Sequence, residues 1–171
     1  MDMRHNNTTD QTPPSAELQL AGLIAKLEPK NQKLIKSMRR ALRKRFPTVN
    51  ELVYDYTKSL VISYSPNDRG SDGIVALSAD ANGVRLFFNQ GASLPDPHGI
   101  LLGDGRQTRY IRVAASKVLL RSEVESLLTA AASKVAVKLA RSGPGEIIIK
   151  SSKQRTKSRS VKLKRPNIKG S

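Results

Sequence analysis

The sequence predicts an α+β domain: a two-layer α/β sandwich whose antiparallel sheet of four to five strands carries helices on one face, followed by a disordered basic C-terminal tail. Three observations carry that expectation. The apolar spacing changes from about 3.6 to 2 after Pro47 and returns to a helical spacing after Val113. The strand-like segments follow one another without intervening helices, which disfavours a doubly wound nucleotide-binding fold. The 171 residues suffice for one domain with a buried core, while a hydrophobic content of 38% leaves part of the chain unpacked.

Residues 1–15 form a polar leader ending in Thr12-Pro13-Pro14. Ser15 is placed to cap a first helix, in which Leu18, Leu20, Leu23, Ile24 and Leu27 recur at helical spacing before Pro29 closes it. A second helix runs from about Lys30 to Phe46, where Leu34, Ile35, Met38, Ala41, Leu42 and Phe46 make one apolar stripe. Lys33, Lys36, Arg40, Arg43 and Lys44 lie off that stripe, so a basic face turns outward. Glu51–Tyr56, Leu60–Tyr64, Ile74–Leu77, Val84–Phe88 and Arg106–Val113 read as strands, with Asn82-Gly83 as a hairpin turn. A long alanine-rich helix spans Lys117 to about Leu139, ended by Gly143-Pro144-Gly145. The stub GEIIIK up to Lys150 either adds a short strand to a sheet edge or meets a partner. The organisation is a leader (1–15), an α+β domain (16–142), and an apolar stub with a basic tail (143–171).

Charge is the strongest bulk feature. The formal net charge is +16, and it is not spread evenly. The window Lys30–Asn50 holds eight basic residues and the window Lys150–Ser171 holds nine, and neither contains an acid. The rest of the chain carries 13 bases against 14 acids. Such segregation points to an anionic macromolecule as partner. The candidate contacts are Lys36, Arg40, Arg43 and Lys44 on the helix, and Lys153, Arg155, Lys157, Arg159, Lys162, Lys164 and Arg165 in the tail. Contact of all nine tail bases with duplex DNA would give a log–log salt slope of up to roughly −8.

Cysteine is absent, which excludes disulfides, thiolate metal sites and cysteine nucleophiles. The polar N-terminus lacks the apolar segment of a secretory signal, and no run of about 18 apolar residues occurs. A soluble cytoplasmic protein without cofactor and without membrane contact is expected. The loop LPDPHGILLGDGRQTR (Leu94–Arg109) concentrates glycine, proline, histidine and aspartate. Its glycines are followed by Arg106-Gln107 and then a strand, so it lacks both the Lys-Ser/Thr pair and the opening helix of a phosphate loop. Asp96, His98 and Asp104 make a weak metal set, and His98 has no nucleophile motif beside it. Turn chemistry is the expected role, with Pro95 and Pro97 fixing φ and Gly103 and Gly105 free to take positive φ.

The same loop carries a resemblance. The helix ending in Phe46-Pro47, the run GVRLFFNQGASLPDPHGILLGDGRQTRYIRV and a final amphipathic helix are similar to the YdhG-like family of small bacterial domains, over about residues 30–135. Its signature here is Asp96, Pro97, Gly103, Gly105 and Arg109. The resemblance implies a compact two-layer domain with an antiparallel sheet, of a family long described as one of unknown function. It further implies a frataxin-like shape and, in one branch, an intracellular iron chaperone holding iron on surface carboxylates. This chain departs from that branch where acids would be needed: the basic helix has none, and Asp55, Asp68, Asp72, Asp80, Asp96 and Asp104 stand singly. The expectation is therefore a non-enzymatic protein that binds a polyanion such as nucleic acid; an iron chaperone and an enzyme of unknown class are the alternatives.

Overall fold

The computed structural model describes residues 14–150. Ser15 caps the first helix, α1 (Ala16–Ala25), by accepting a hydrogen bond from the Leu18 amide at 3.2 Å. The helix buries Leu20 and Ile24, one turn apart. Leu18 precedes Leu20 by two residues, roughly 200° around a helix, and is 65% exposed rather than part of the apolar stripe. Pro29 does not close α1 but is the first residue of α2 (Pro29–Arg45). A proline fits there because its missing amide would have no partner in the first turn. Leu34, Ile35, Met38 and Leu42 form the buried side of α2, and Phe46 is buried just beyond its end.

The chain then makes an antiparallel meander: β1 (Asn50–Tyr56), β2 (Ser59–Ser65), β3 (Val75–Asp80), β4 (Gly83–Phe88) and β5 (Arg109–Val113). Gly83 closes the β3–β4 turn with a φ of 111°, a region that costs most residues strain. A sixth strand, β6 (Ile147–Lys150), joins β1 in parallel, so the sheet is mixed, in the order β5-β4-β3-β2-β1-β6. The stub GEIIIK is thus an edge strand, one strand more than the sequence suggests. Its docking begins at Gly145, whose amide donates to the Pro47 carbonyl at 3.1 Å, while the Glu51 amide donates to the Glu146 carbonyl at 2.8 Å. The backbones meet so closely that a Cβ at position 145 would lie 1.6 Å from the Val49 carbonyl oxygen.

The C-terminal helical reading needs correction. Ser116–Leu120 is a 3₁₀ turn, Arg121 is extended (ψ 133°), and α3 covers only Ser122–Lys134. Val135 is again extended, and Val135, Val137 and Leu139 alternate partly buried with exposed neighbours. That period of two, with β-branched valines, is strand-like rather than helical. The last strand of the meander also begins at Arg109, not Arg106.

Register decides what each face of the sheet presents. Across the strands Ile111, Leu86, Leu77, Ile62 and Val53 stand opposite one another and face the helices, with Ile149 completing the row. They share a single core with Ile24, Met38 and Leu42 and with Val124, Leu127 and Leu128 of α3. All three helices therefore cover one face, as the α+β reading requires. The next residues along each strand face the other way: Arg112, Arg85, Ser78, Val61, Tyr54 and Lys150 form one outward row. A one-residue slip would exchange the two faces, so the apolar row fixes the polar one. Replacing Gly145→Ala should undock β6: amide hydrogen exchange at Ile148 and Ile149 should accelerate to near that of an exposed chain, with a loss of more than about 1 kcal/mol in urea unfolding, whereas unchanged exchange would show that the backbone can yield there.

Candidate polyanion-binding surface

Helix α2 projects three groups of cations in three directions. Lys33, Lys36, Arg40 and Lys44 succeed one another at steps of three and four, opposite the buried stripe, and are exposed. Among the described residues none of these four has a carboxylate within ion-pair distance. On one flank Arg39 and Arg43 turn toward α1 and β1, and on the other Arg45 reaches the Glu125 carboxylate of α3 at 3.1 Å. Counting the eight bases of the Lys30–Asn50 window therefore overstates the surface: Arg39, Arg43 and Arg45 are ion-paired with acids of other elements.

Arg39 is the residue that sequence reasoning missed. It is 8% exposed, and its Nε and Nη2 donate to the two oxygens of Glu51 at 2.9 and 2.7 Å. Glu51 is 2% exposed, because it occupies an inward-facing position of β1, opposite Tyr64. The Tyr64 hydroxyl donates to the same carboxylate at 3.1 Å. Glu17 of α1 takes the remaining side of the guanidinium, at 3.0 Å from Nη1. Burial alone would lower the Arg39 pKa, but the bonds to Glu51 and Glu17 outweigh it and raise it above the ordinary arginine value. Burial, then the charge of Glu51, pushes the Tyr64 hydroxyl well up, so it stays a neutral donor. The hydrogen bond from Arg39 holds the Glu17 carboxyl below its ordinary 4.5. Glu17 accordingly stabilises the fold above that pH and loses its contribution as pH falls through its own lowered value. A legible signal existed: an acid in phase with Val53 on an inward strand face requires a cation, and Arg39 borders the apolar stripe, one turn from Ile35 and from Leu42.

Between α1 and α2 this network floors an open cleft of about 500 Å³, rimmed by Lys36, Arg40 and Arg43. Arg43, 47% exposed at its side chain, lies 3.6 Å from Glu17 and 3.8 Å from Glu51 and so divides its charge between the interior and the cleft. Lys36, Arg40 and Lys44 are brought together as expected. Lys153, Arg155, Lys157, Arg159, Lys162, Lys164 and Arg165 lie outside the described residues.

The loop between β4 and β5 holds itself. Asp96 accepts the amides of Ile100 and Leu101, both at 3.0 Å, which commits its carboxylate to the turn after Pro97. Gly103 takes a positive φ of 103° as expected; Gly105 does not, and Gly99 does (62°). A Cβ at Gly103 would also come to 3.3 Å from the Tyr110 ring. The Arg109 guanidinium donates to the Thr108 carbonyl at 2.9 Å and to that of Gly105, so it fastens the loop rather than facing solvent as a free anion contact. Asp55 pairs with Lys26 and Asp80 with Arg85, and Asp72 accepts from Asn67. Among the described residues no three His, Asp or Glu side chains come together to hold a metal. His98 is exposed beside a hollow of about 100 Å³ that Glu123 also lines. No helix among the described residues is long and apolar enough to cross a membrane.

Comparison of the chain with family models, curated proteins and solved structures finds no match, so the resemblance to the YdhG-like family rests on the quoted residues alone.

Breaking the central pair should be far costlier than replacing it. Glu51→Ala strands a buried guanidinium and should lose about 3–5 kcal/mol in urea unfolding, whereas Arg39→Met with Glu51→Leu together should lose much less; equal losses would mean that the charges themselves are required.

Proposed function

We propose that this protein is a non-enzymatic, cytoplasmic binder of polyanions, with nucleic acid the favoured class, and that the outward face of α2 makes the contact together with the basic C-terminal segment. The YdhG-like resemblance belongs to the same proposal. One observation carries it: four cations in a row on a rigid helix, with no acid of the described residues paired to them.

That row opposes the helix's own preferences. Lys36–Arg40 and Arg40–Lys44 are like-charge pairs four apart, each destabilising a helix by roughly 0.2–0.5 kcal/mol. Lys30 and Lys33 sit near the positive end of the helix dipole, where Glu28 at the N-cap is the one acid and the first turn itself holds none. Arg43, Lys44 and Arg45 at the last turn have a structural reason, because cations favour a helix C-terminus. The early lysines have no such reason, and bound phosphates would relieve both costs. The contact is with phosphate rather than base edges: three of the four cations are lysines, flexible point charges, and Arg40 is the row's one bidentate fork.

The test is the salt dependence of binding to a short DNA duplex. Replacing Lys36, Arg40 and Lys44 by alanine should weaken binding and flatten the log–log salt slope by about 2 to 3, near 0.9 per lost phosphate contact. An unchanged slope would remove α2 from the interface.

A further inference from the structure

The face of the sheet turned away from the helices has a composition that solvent exposure alone does not explain. The chain has seven aromatic residues, four Tyr and three Phe. Four of them, Tyr54 and Tyr56 on β1, Phe87 on β4 and Tyr110 on β5, fall at outward register positions. Tyr56 is 50% exposed, and the other three are partly exposed. They form two clusters. Tyr54 and Tyr56 have parallel rings with centroids 6.0 Å apart; Phe87 and Tyr110 are cross-strand neighbours at 5.2 Å. Tyr54 lies three strands from Phe87 and two residues out of its row, about 16 Å at strand spacings of roughly 4.8 Å and a rise of roughly 3.3 Å per residue, and Tyr56 and Tyr110 lie further apart. Ala76, Ser78, Ser63 and Val61 occupy the outward positions between them, and Ser63 and Ser78 are buried. The β2–β3 loop lies so close that a Cβ at Gly73 would come to 2.7 Å from the Ser63 hydroxyl and one at Gly70 to 2.6 Å from that of Tyr54.

Cations complete the surface. Arg85, anchored by Asp80, places its guanidinium 5.6 Å from the Phe87 ring centroid and 5.7 Å from that of Tyr110. Arg112 stands beside it, exposed, and Lys150 faces the same way at the far edge, opposite Tyr54. Asp80 is the one carboxylate at these outward strand positions, and Arg85 neutralises it. A second copy of this face would set arginine against arginine, and the chain's own C-terminal segment, with nine bases and no acid, would be repelled.

We propose that this face binds single-stranded nucleic acid, with bases stacked on the Phe87–Tyr110 and Tyr54–Tyr56 clusters and phosphates met by Arg112 and Lys150. Partly exposed aromatic rings beside guanidinium planes are what unpaired bases stack on, and a span of this width takes two or three of them. A duplex hides its bases and gains nothing from the rings. The inference is independent of the helix reading, because α2 lies on the opposite side of the sheet.

The absence of tryptophan makes the test direct, since tyrosine alone supplies the long-wavelength emission and only Tyr64 of the four is buried in the core. An oligothymidylate of about 12 nucleotides, titrated into the full chain, should quench tyrosine emission, and an equal length of duplex should quench it less. Tyr110→Ala should weaken oligothymidylate binding about fivefold or more, Tyr110→Phe should restore it, and the exposed Arg112→Ser should weaken it without touching the core. Heparin affinity should hardly change in Tyr110→Ala, but should fall in the alanine variant of Lys36, Arg40 and Lys44. Absence of quenching, or wild-type oligonucleotide affinity in both Tyr110→Ala and Arg112→Ser, overturns this proposal and leaves the helix reading standing. A change in sedimentation of Tyr110→Ala without a change in binding overturns it too, in favour of a contact between copies.

Discussion

The structure depends on one buried ion pair. Glu51 faces inward from β1 under α2, a position where an unpaired carboxylate would cost several kcal/mol. Arg39 meets it with two hydrogen bonds, Tyr64 adds a third, and Glu17 draws α1 onto the same guanidinium. The pair so formed sets the rotation of α2 about its axis. With Arg39 pointing into the sheet, Lys33, Lys36, Arg40 and Lys44 can only point away from it. An apolar stripe alone tolerates some rotation; a bidentate arginine–carboxylate contact tolerates little.

The same pair divides the molecule's charge between interior and surface. Arg39, Arg43 and Arg45 knit α2 to α1, β1 and α3; the charge of Arg39 is spent within the fold, and that of Arg43 is shared with the cleft. The remaining bases of the helix have no such task. The sheet's other side is built on a different principle, with aromatic rings and arginines over small residues. The two faces thus offer different chemistry to an anionic chain: one offers charge alone, and the other offers charge with stacking surface.

Much of the architecture was legible because it follows from period and punctuation. Ser15 as cap, the strands from Glu51 to Phe88, the Asn82-Gly83 turn and the buried stripe of α2 all stand where the spacing puts them. The failures have physical causes. Propensity merges Lys117–Leu139 into one alanine-rich helix, but extended Arg121 interrupts it and the alternation of Val135, Val137 and Leu139 ends it. The parallel pairing of β6 spans some ninety residues of chain and has no local signal beyond a glycine that lets two backbones meet. The charge count failed most instructively, because the acids that neutralise Arg39, Arg43 and Arg45 lie in other segments of the sequence. The outward aromatics carry no local signal, because only the register of β4 and β5 brings Phe87, Tyr110 and Arg85 side by side.

The central claim is that the outward row of α2 is the surface an anionic chain covers. Lysine acetylation footprinting, read by mass spectrometry with and without a saturating DNA duplex, tests it most directly. Lys33, Lys36 and Lys44 should be protected while Lys26, Lys58 and Lys117, exposed elsewhere on the domain, keep their reactivity. Equal protection of all six, or protection of the second three alone, would contradict the account.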